Sequence, residues 1–204
     1  MAIEREHWIS LEEYHEIERN SDIKYEYSNG RIYAMSGGKS KHSRIAINMT
    51  IALESHLDGS DCYTFNSDMK VLPFGNENPT YYPDVVVTCN PDDYQDDSTA
   101  IRSPRLIIEV LSPSTSAKDR GEKLTAYKAC KSCEEYVMVS THHQEIVVYR
   151  RESANDWQLV RYTAVNNLHL VSVGLTIPVS KIYARTNIPP LALVLPTDKT
   201  KEIE

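Results

Sequence analysis

Residues 105–112, RLIIEVLS, form an apolar run with a carboxylate in its middle. Leu106, Ile107, Ile108, Val110 and Leu111 read as one strand, and Glu109 interrupts it. An ionised, unpaired carboxylate taken fully out of water costs on the order of tens of kcal/mol in the Born limit. Glu109 must therefore be neutral, paired, or bound to a cation, and whichever holds, another part of the chain has to meet it.

The surrounding elements can be read from spacing. Ser10-x-x-Glu13 has the form of a capping box and predicts a helix through about Arg19. Residues 25–27 and 31–35 flank Asn29-Gly30, a strong hairpin signal. A helix is predicted over 41–56, with Ile45, Met49, Ala52 and Leu53 at helical spacing. Strands are expected over 62–73, 81–88 and 105–112, with a long acidic loop before the last. A helix follows over 118–131, its Leu124, Tyr127 and Cys130 facing the sheet. EYVMVST and EIVVYRR then form a hairpin around His142-His143-Gln144, WQLVRYT adds a strand, and Leu168 and Leu170 alternate in the extended segment after it. The order is that of an α+β, or mixed α/β, domain. One domain is expected over residues 1–186. The tail 187–204, punctuated by prolines and charges, is expected to be loosely held.

Asp84 stands at the head of the apolar run VVVT, 25 positions before Glu109. If those two strands pair, both carboxylates can point to the same face at one end of the sheet. Two such acids repel, and each raises the other's pKa unless a cation sits between them. Mg²⁺ suits the pair, because it takes oxygen ligands and keeps waters for a phosphate to displace; Mn²⁺ would substitute. Lys123 lies on the helix that follows the Glu109 strand, from where an ammonium could orient water or stabilise charge on a phosphorane-like transition state. Asp84, Glu109 and Lys123 are the candidate catalytic residues, with Asp84 and Glu109 as the metal ligands.

PD-V-V-V, I-E-V-L-S-P-S-T and D-R-G-E-K-L-x-x-Y together resemble the bacterial Uma-type restriction endonuclease family of the PD-(D/E)XK nuclease superfamily. The resemblance runs over about residues 10–184. It implies a restriction-endonuclease-like core, a central mixed sheet flanked by helices, preceded here by an N-terminal helix and hairpin. It also implies that Asp84 matches the motif's Asp and Glu109 its second acid. The superfamily's lysine usually stands two residues after that acid, a position held here by Leu111. The resemblance implies that the lysine has moved to Lys123. Family features also bring in Glu26, as an extra metal ligand or as a holder of the Lys123 ammonium, and His42, which at a helix start could contact phosphate. By analogy with other nucleases of this type the chain is expected to act on DNA as a homodimer.

Each of these residues has a plainer reading. Glu109 could pair with Lys123 purely structurally, Asp84 could be a turn residue after Pro83, and Lys123 could form an exposed i,i+4 pair with Asp119. Glu26 could pair across its hairpin with Arg31, and His42 could be a polar residue at a helix start. The net charge of −7 argues against a general nucleic-acid coat but not against a nuclease. Residues 102–131 carry seven cations against three carboxylates, a cationic segment in an acidic chain. A non-catalytic module on the same fold, binding nucleic acid or protein, is the alternative to the enzyme. A redox role for Cys130-x-x-Cys133 is the third reading; the pair stands at a helix end and lacks a second pair for zinc, so ordinary reduced cysteines are expected at Cys62, Cys89, Cys130 and Cys133. Asp92, Asp93, Asp96 and Asp97 are expected in a solvated loop, and His142 and His143 at an exposed tip. No apolar run approaches the roughly 20 residues of a membrane span, and the polar N-terminus is not a secretory signal, so a cytoplasmic protein is expected.

Overall fold

The structure, a computed structural model, describes residues 8–35, 37–76, 78–113 and 115–191. Helix α1 (Leu11–Arg19) starts with the capping box: Ser10 Oγ accepts from the Glu13 amide, and a Glu13 carboxylate oxygen accepts from the Ser10 amide. Its buried Tyr14 stacks on Tyr27 of strand β1 (Tyr25–Ser28). Strand β2 (Arg31–Ala34) pairs antiparallel with β1, and Asn29 and Gly30 both take the positive φ that a tight hairpin turn of this type demands. Helix α2 (Ser40–Leu57) buries Ile45, Met49, Leu53 and Leu57, one residue per turn.

The predicted strand 62–73 is two strands. A turn in which the Met69 amide donates to the Asn66 carbonyl separates β3 (Tyr63–Asn66) from β4 (Lys70–Val71), and β4 leaves for a different sheet. The strand predicted to start at 81 begins instead at β5 (Val85–Thr88). Tyr81 exchanges backbone hydrogen bonds with Val71, and Pro83, having no N–H to donate, ends that pairing before β5 begins. The acidic loop is not wholly solvated either. Buried Asp93 accepts from Thr88 Oγ1 and from the amides of Arg102 and Ser103, pinning the loop between β5, β6 (Ala100–Ile101) and β7 (Pro104–Leu111).

A continuous helix follows over 116–129, in three parts: α3 (Ser116–Lys118), a π-helical turn (Asp119–Lys123) and α4 (Leu124–Ala129). It ends before the predicted boundary at 131. It is the crossover from β7 to β8 (Glu135–Ser140), the pair of neighbours in the main sheet that run parallel, a connection that requires such a helix. β8 turns back into β9 (Glu145–Arg151), and β10 (Trp157–Thr163) extends the meander. The six strands lie in the order β10-β9-β8-β7-β5-β3. A small hairpin of β11 (Asn167–Leu170) and β12 (Leu175–Pro178) and the short helix α5 (Val179–Ile182) close the domain. Alternation sorts the strands between two cores. Leu106, Ile108 and Val110 join α2, α5 and the small hairpin on one face, whereas Ile107 and Leu111 meet Tyr127, Ala126 and Cys130 on the other.

Two further expectations are corrected. Cys62 and Cys89 form a disulfide rather than standing reduced. Continuing the Tyr63–Thr88 register by one residue puts them opposite each other, a proximity that a sequence separation of 27 hides. The tail expected to be loose from Asn187 begins as a docked segment: Ile188 is buried, and the Gln144 amide and side chain donate to the carbonyls of Pro189 and Ile188. Residues 192–204 lie outside the described residues. Leu53→Ala should lower stability by about 2–5 kcal/mol in urea unfolding, because Leu53 is fully enclosed between α2 and the sheet.

Candidate active site

The C-terminal end of β7, the residue entering β5, the β1–β2 hairpin and the first turns of the crossover helix converge at one end of the sheet. Val85 pairs with Ile108, so one further step of the register sets Asp84 opposite Glu109. Opposed residues of an antiparallel pair share a face, and this is the face covered by the crossover helix. Asp84 Oδ2 accepts from the Val110 amide at 2.7 Å and lies 3.2 Å from His42 Nε2.

Glu109, 4 % exposed, meets the Lys123 ammonium at 2.9 Å. The same Nζ lies 2.7 Å from Glu26 Oε1 and 3.5 Å from Asp119 Oδ1. A second ammonium, Lys118, sits 2.9 Å from Glu26 Oε2 and over the Tyr33 ring, 3.5 Å from its centroid. Glu26 also accepts from the Tyr82 amide. Three carboxylates thus surround one buried ammonium, and a second cation balances the outermost of them. Asp119 Oδ1 is buried without a hydrogen bond among the described residues, an acceptor left over in the cluster.

These contacts set the protonation states. Burial alone would strip the proton from Lys123, but Glu109, Glu26 and Asp119 overcome it and hold the ammonium charged well above the usual lysine range. Burial pushes the Glu109 carboxyl up, against the pull of Lys123 and with the push of Asp119, Asp84 and Glu26. Asp119 is raised by burial as well. Glu26 is also penalised by burial, yet Lys123 and Lys118 together bring it below the ordinary carboxylate range. The hydrogen bond to Asp84 raises His42.

The five residues singled out by sequence are therefore brought together. Glu26 faces Tyr33 in the hairpin rather than pairing with Arg31, and it clasps Lys123. His42 reaches Asp84. The Asp119–Lys123 pair is buried rather than exposed, with Asp119 only 1 % accessible. Sequence reasoning did not place Asp119 and Lys118 in the site; their signal was the dense run of charge just after a strand that already carried an unexplained acid. Cys130 and Cys133 are free and buried, and burial drives the Cys133 thiol well up, the reverse of what a redox nucleophile needs.

The chemistry of the donors bears on a metal. Asp84 and Glu109 offer hard carboxylate oxygens from fixed backbone positions, and a cation between them would relieve their mutual repulsion. Among the described residues no three His, Cys, Asp or Glu side chains form a ready cage. The set fits an ion that takes two carboxylates and fills its remaining positions with water, the habit of Mg²⁺.

Against known proteins, residues 11–180 match the model of the Uma2 family, described as "Putative restriction endonuclease". An uncharacterized protein of Synechocystis sp., slr1290, is 41% identical over 175 residues, spanning 86% of this chain and 91% of that one. A second from the same organism, sll1609, is 26% identical over 159 residues, 78% of this chain and 89% of its own. The crystal structure of a protein from Anabaena variabilis, titled a putative nuclease belonging to DUF820, superposes with a TM-score of 0.68 at 18% identity, covering 86% of this chain and 97% of that one. Its fold is the one described above. Among the described residues no helix is long and apolar enough to cross a membrane.

Two outcomes follow from the cluster. Lys123→Met should cost about 3–5 kcal/mol in chemical unfolding, because it strands buried carboxylates. Glu26 has a lowered folded pKa, so its contribution is present above its unfolded pKa of about 4.3 and lost as pH falls through the folded value. The melting-temperature gap between the protein and Glu26→Gln should therefore be wide at neutral pH and close in acid.

Proposed function

The chain belongs to the Uma2 family of restriction-endonuclease-like proteins, and from that premise we propose that it is a metal-dependent endonuclease hydrolysing DNA phosphodiester bonds. The observation that carries the reading is the opposition of Asp84 and Glu109 across β5 and β7, with the Lys123 ammonium 2.9 Å from Glu109. Asp84 and Glu109 hold Mg²⁺, or Mn²⁺ in its place; the ion would supply charge neutralisation at the phosphate and a water of lowered pKa. Lys123, permanently charged, orients the attacking water or stabilises the negative charge that develops on the phosphate oxygens. It arrives from the crossover helix, because Leu111 holds the motif position, and reaches Glu109 from there. Glu26 fixes that ammonium from behind, and Lys118 keeps Glu26 ionised. His42 positions Asp84, so its role is exercised through that carboxylate and not on phosphate directly. A homodimer would supply two such sites, one for each strand of a duplex.

A non-catalytic reading has one observation in its favour: Lys123 is already engaged by three carboxylates and would have to share its charge with substrate. The two readings separate on purified protein. Mg²⁺-dependent nicking of supercoiled plasmid should fall about a hundredfold or more in Glu109→Ala and in Asp84→Asn, and chelation should abolish it in the unaltered protein. Equal nicking by the protein and Glu109→Ala would assign the activity to a contaminant and leave the binding module.

A further inference from the structure

The β1–β2 hairpin carries a feature the cleavage site does not use. Trp8 is 67 % exposed, yet its indole is not loosely placed. One face lies flat on Gly30, so closely that a Cβ built there would fall 2.2–2.5 Å from three ring atoms. Gly30 is thus required twice, by its φ of +73° and by the ring laid over it. The indole has a rigid backing on one side and solvent on the other. Trp8 and Gly30 line a cavity of about 300 Å³ together with Tyr33, Arg31, Asn29, Ser28 and Glu122. Tyr33, a second lining ring, carries the Lys118 ammonium over it, and Lys118 touches Glu26, the partner of Lys123. The cavity therefore borders the cleavage site through two side chains.

A flat aromatic backed by main chain, a second ring, and amide, hydroxyl and carboxylate groups at the rim match the two things a nucleobase offers: a π-face and an edge of donors and acceptors. A stacked duplex hides that face. We propose that this cavity takes an unstacked base from single-stranded or locally unpaired DNA, with the base stacking on Trp8 while the backbone of the same strand runs past Lys118 toward Asp84 and Glu109. The proposal rests on DNA being the substrate and adds which form of it is preferred.

The chain has two tryptophans, Trp8 and Trp157, so a Trp157→Phe protein reports on Trp8 alone. With the metal chelated, and therefore without cleavage, a short oligo-dT should quench the Trp8 emission saturably, and a sealed hairpin duplex should not. Binding of fluorescein-labelled oligo-dT to the protein carrying its natural tryptophans, followed by anisotropy, should weaken about tenfold in Trp8→Ala and recover in Trp8→Phe. Quenching without plasmid nicking would leave this inference standing and sink the catalytic reading alone. Nicking with no quenching, unchanged anisotropy in Trp8→Ala, or equal quenching by the sealed duplex would overturn the inference.

Discussion

The Lys123 ammonium, enclosed with Glu109, Glu26 and Asp119, is the interaction around which the rest is arranged. Removing each of these charges from water costs several kcal/mol even after the protein relaxes, and an apolar cluster of the same volume would hold the elements together at least as well. The cluster nevertheless ties the hairpin, the central strand and the crossover helix at a single atom. Its three carboxylates outnumber the ammoniums of Lys123 and Lys118, and Asp84 adds a fourth acid beside them. Burial lifts Glu109 and the neighbouring acids add to that push, while among the described residues Asp119 Oδ1 has no hydrogen bond beyond its ion pair with Lys123. A chain selected only to be stable has no reason to keep so many acids together, and the proposed metal would balance them.

The sheet explains why so few elements are needed to build the site. β5 and β7 are antiparallel neighbours, so Asp84 and Glu109 meet by register alone. The parallel step from β7 to β8 then obliges the chain to cross over the face on which Glu109 lies. The helix that carries Lys123 is the connection itself. The acidic balance of the whole chain does not oppose this arrangement, since the acids that matter are turned inward and the cationic helix start lies beside them.

Much of this was legible because it is local. The capping box at Ser10, the Asn29-Gly30 turn, the four-residue spacing of α2 and the anomaly of Glu109 each declare themselves within a dozen residues. What was hidden depends on distance along the chain. The Cys62–Cys89 bridge, the pairing of β4 with β6 and the burial of Asp93 all follow from register and loop closure, which no local pattern encodes. Lys118 and Asp119 were visible only as members of a charged run. Their spacing fits a solvated helix face as well as a buried cluster, and only the approach of Glu26 from the hairpin decides between them. Tyr81 misled for a physical reason: it continues the apolar pattern of β5, but Pro83 interrupts the ladder between them.

The widened turn at Asp119–Lys123 lies where the buried face of the crossover helix passes from charge to oil. Residues on an α-helix advance about 100° each, so positions 119, 123, 126, 127 and 130 fall on one stripe of the helix. Asp119 and Lys123 are aimed at the acids of the sheet end, whereas Ala126, Tyr127 and Cys130 must face its apolar middle. The ammonium and the apolar residues therefore share a single face, and seating the oily half against the sheet brings Lys123 to Glu109. The Tyr136 hydroxyl, donating to the Asp119 carbonyl from the neighbouring strand, braces the backbone where the winding changes. One stripe thus grips the sheet through oil at its middle and through charge at its end, so the packing of Tyr127 decides where the ammonium stands.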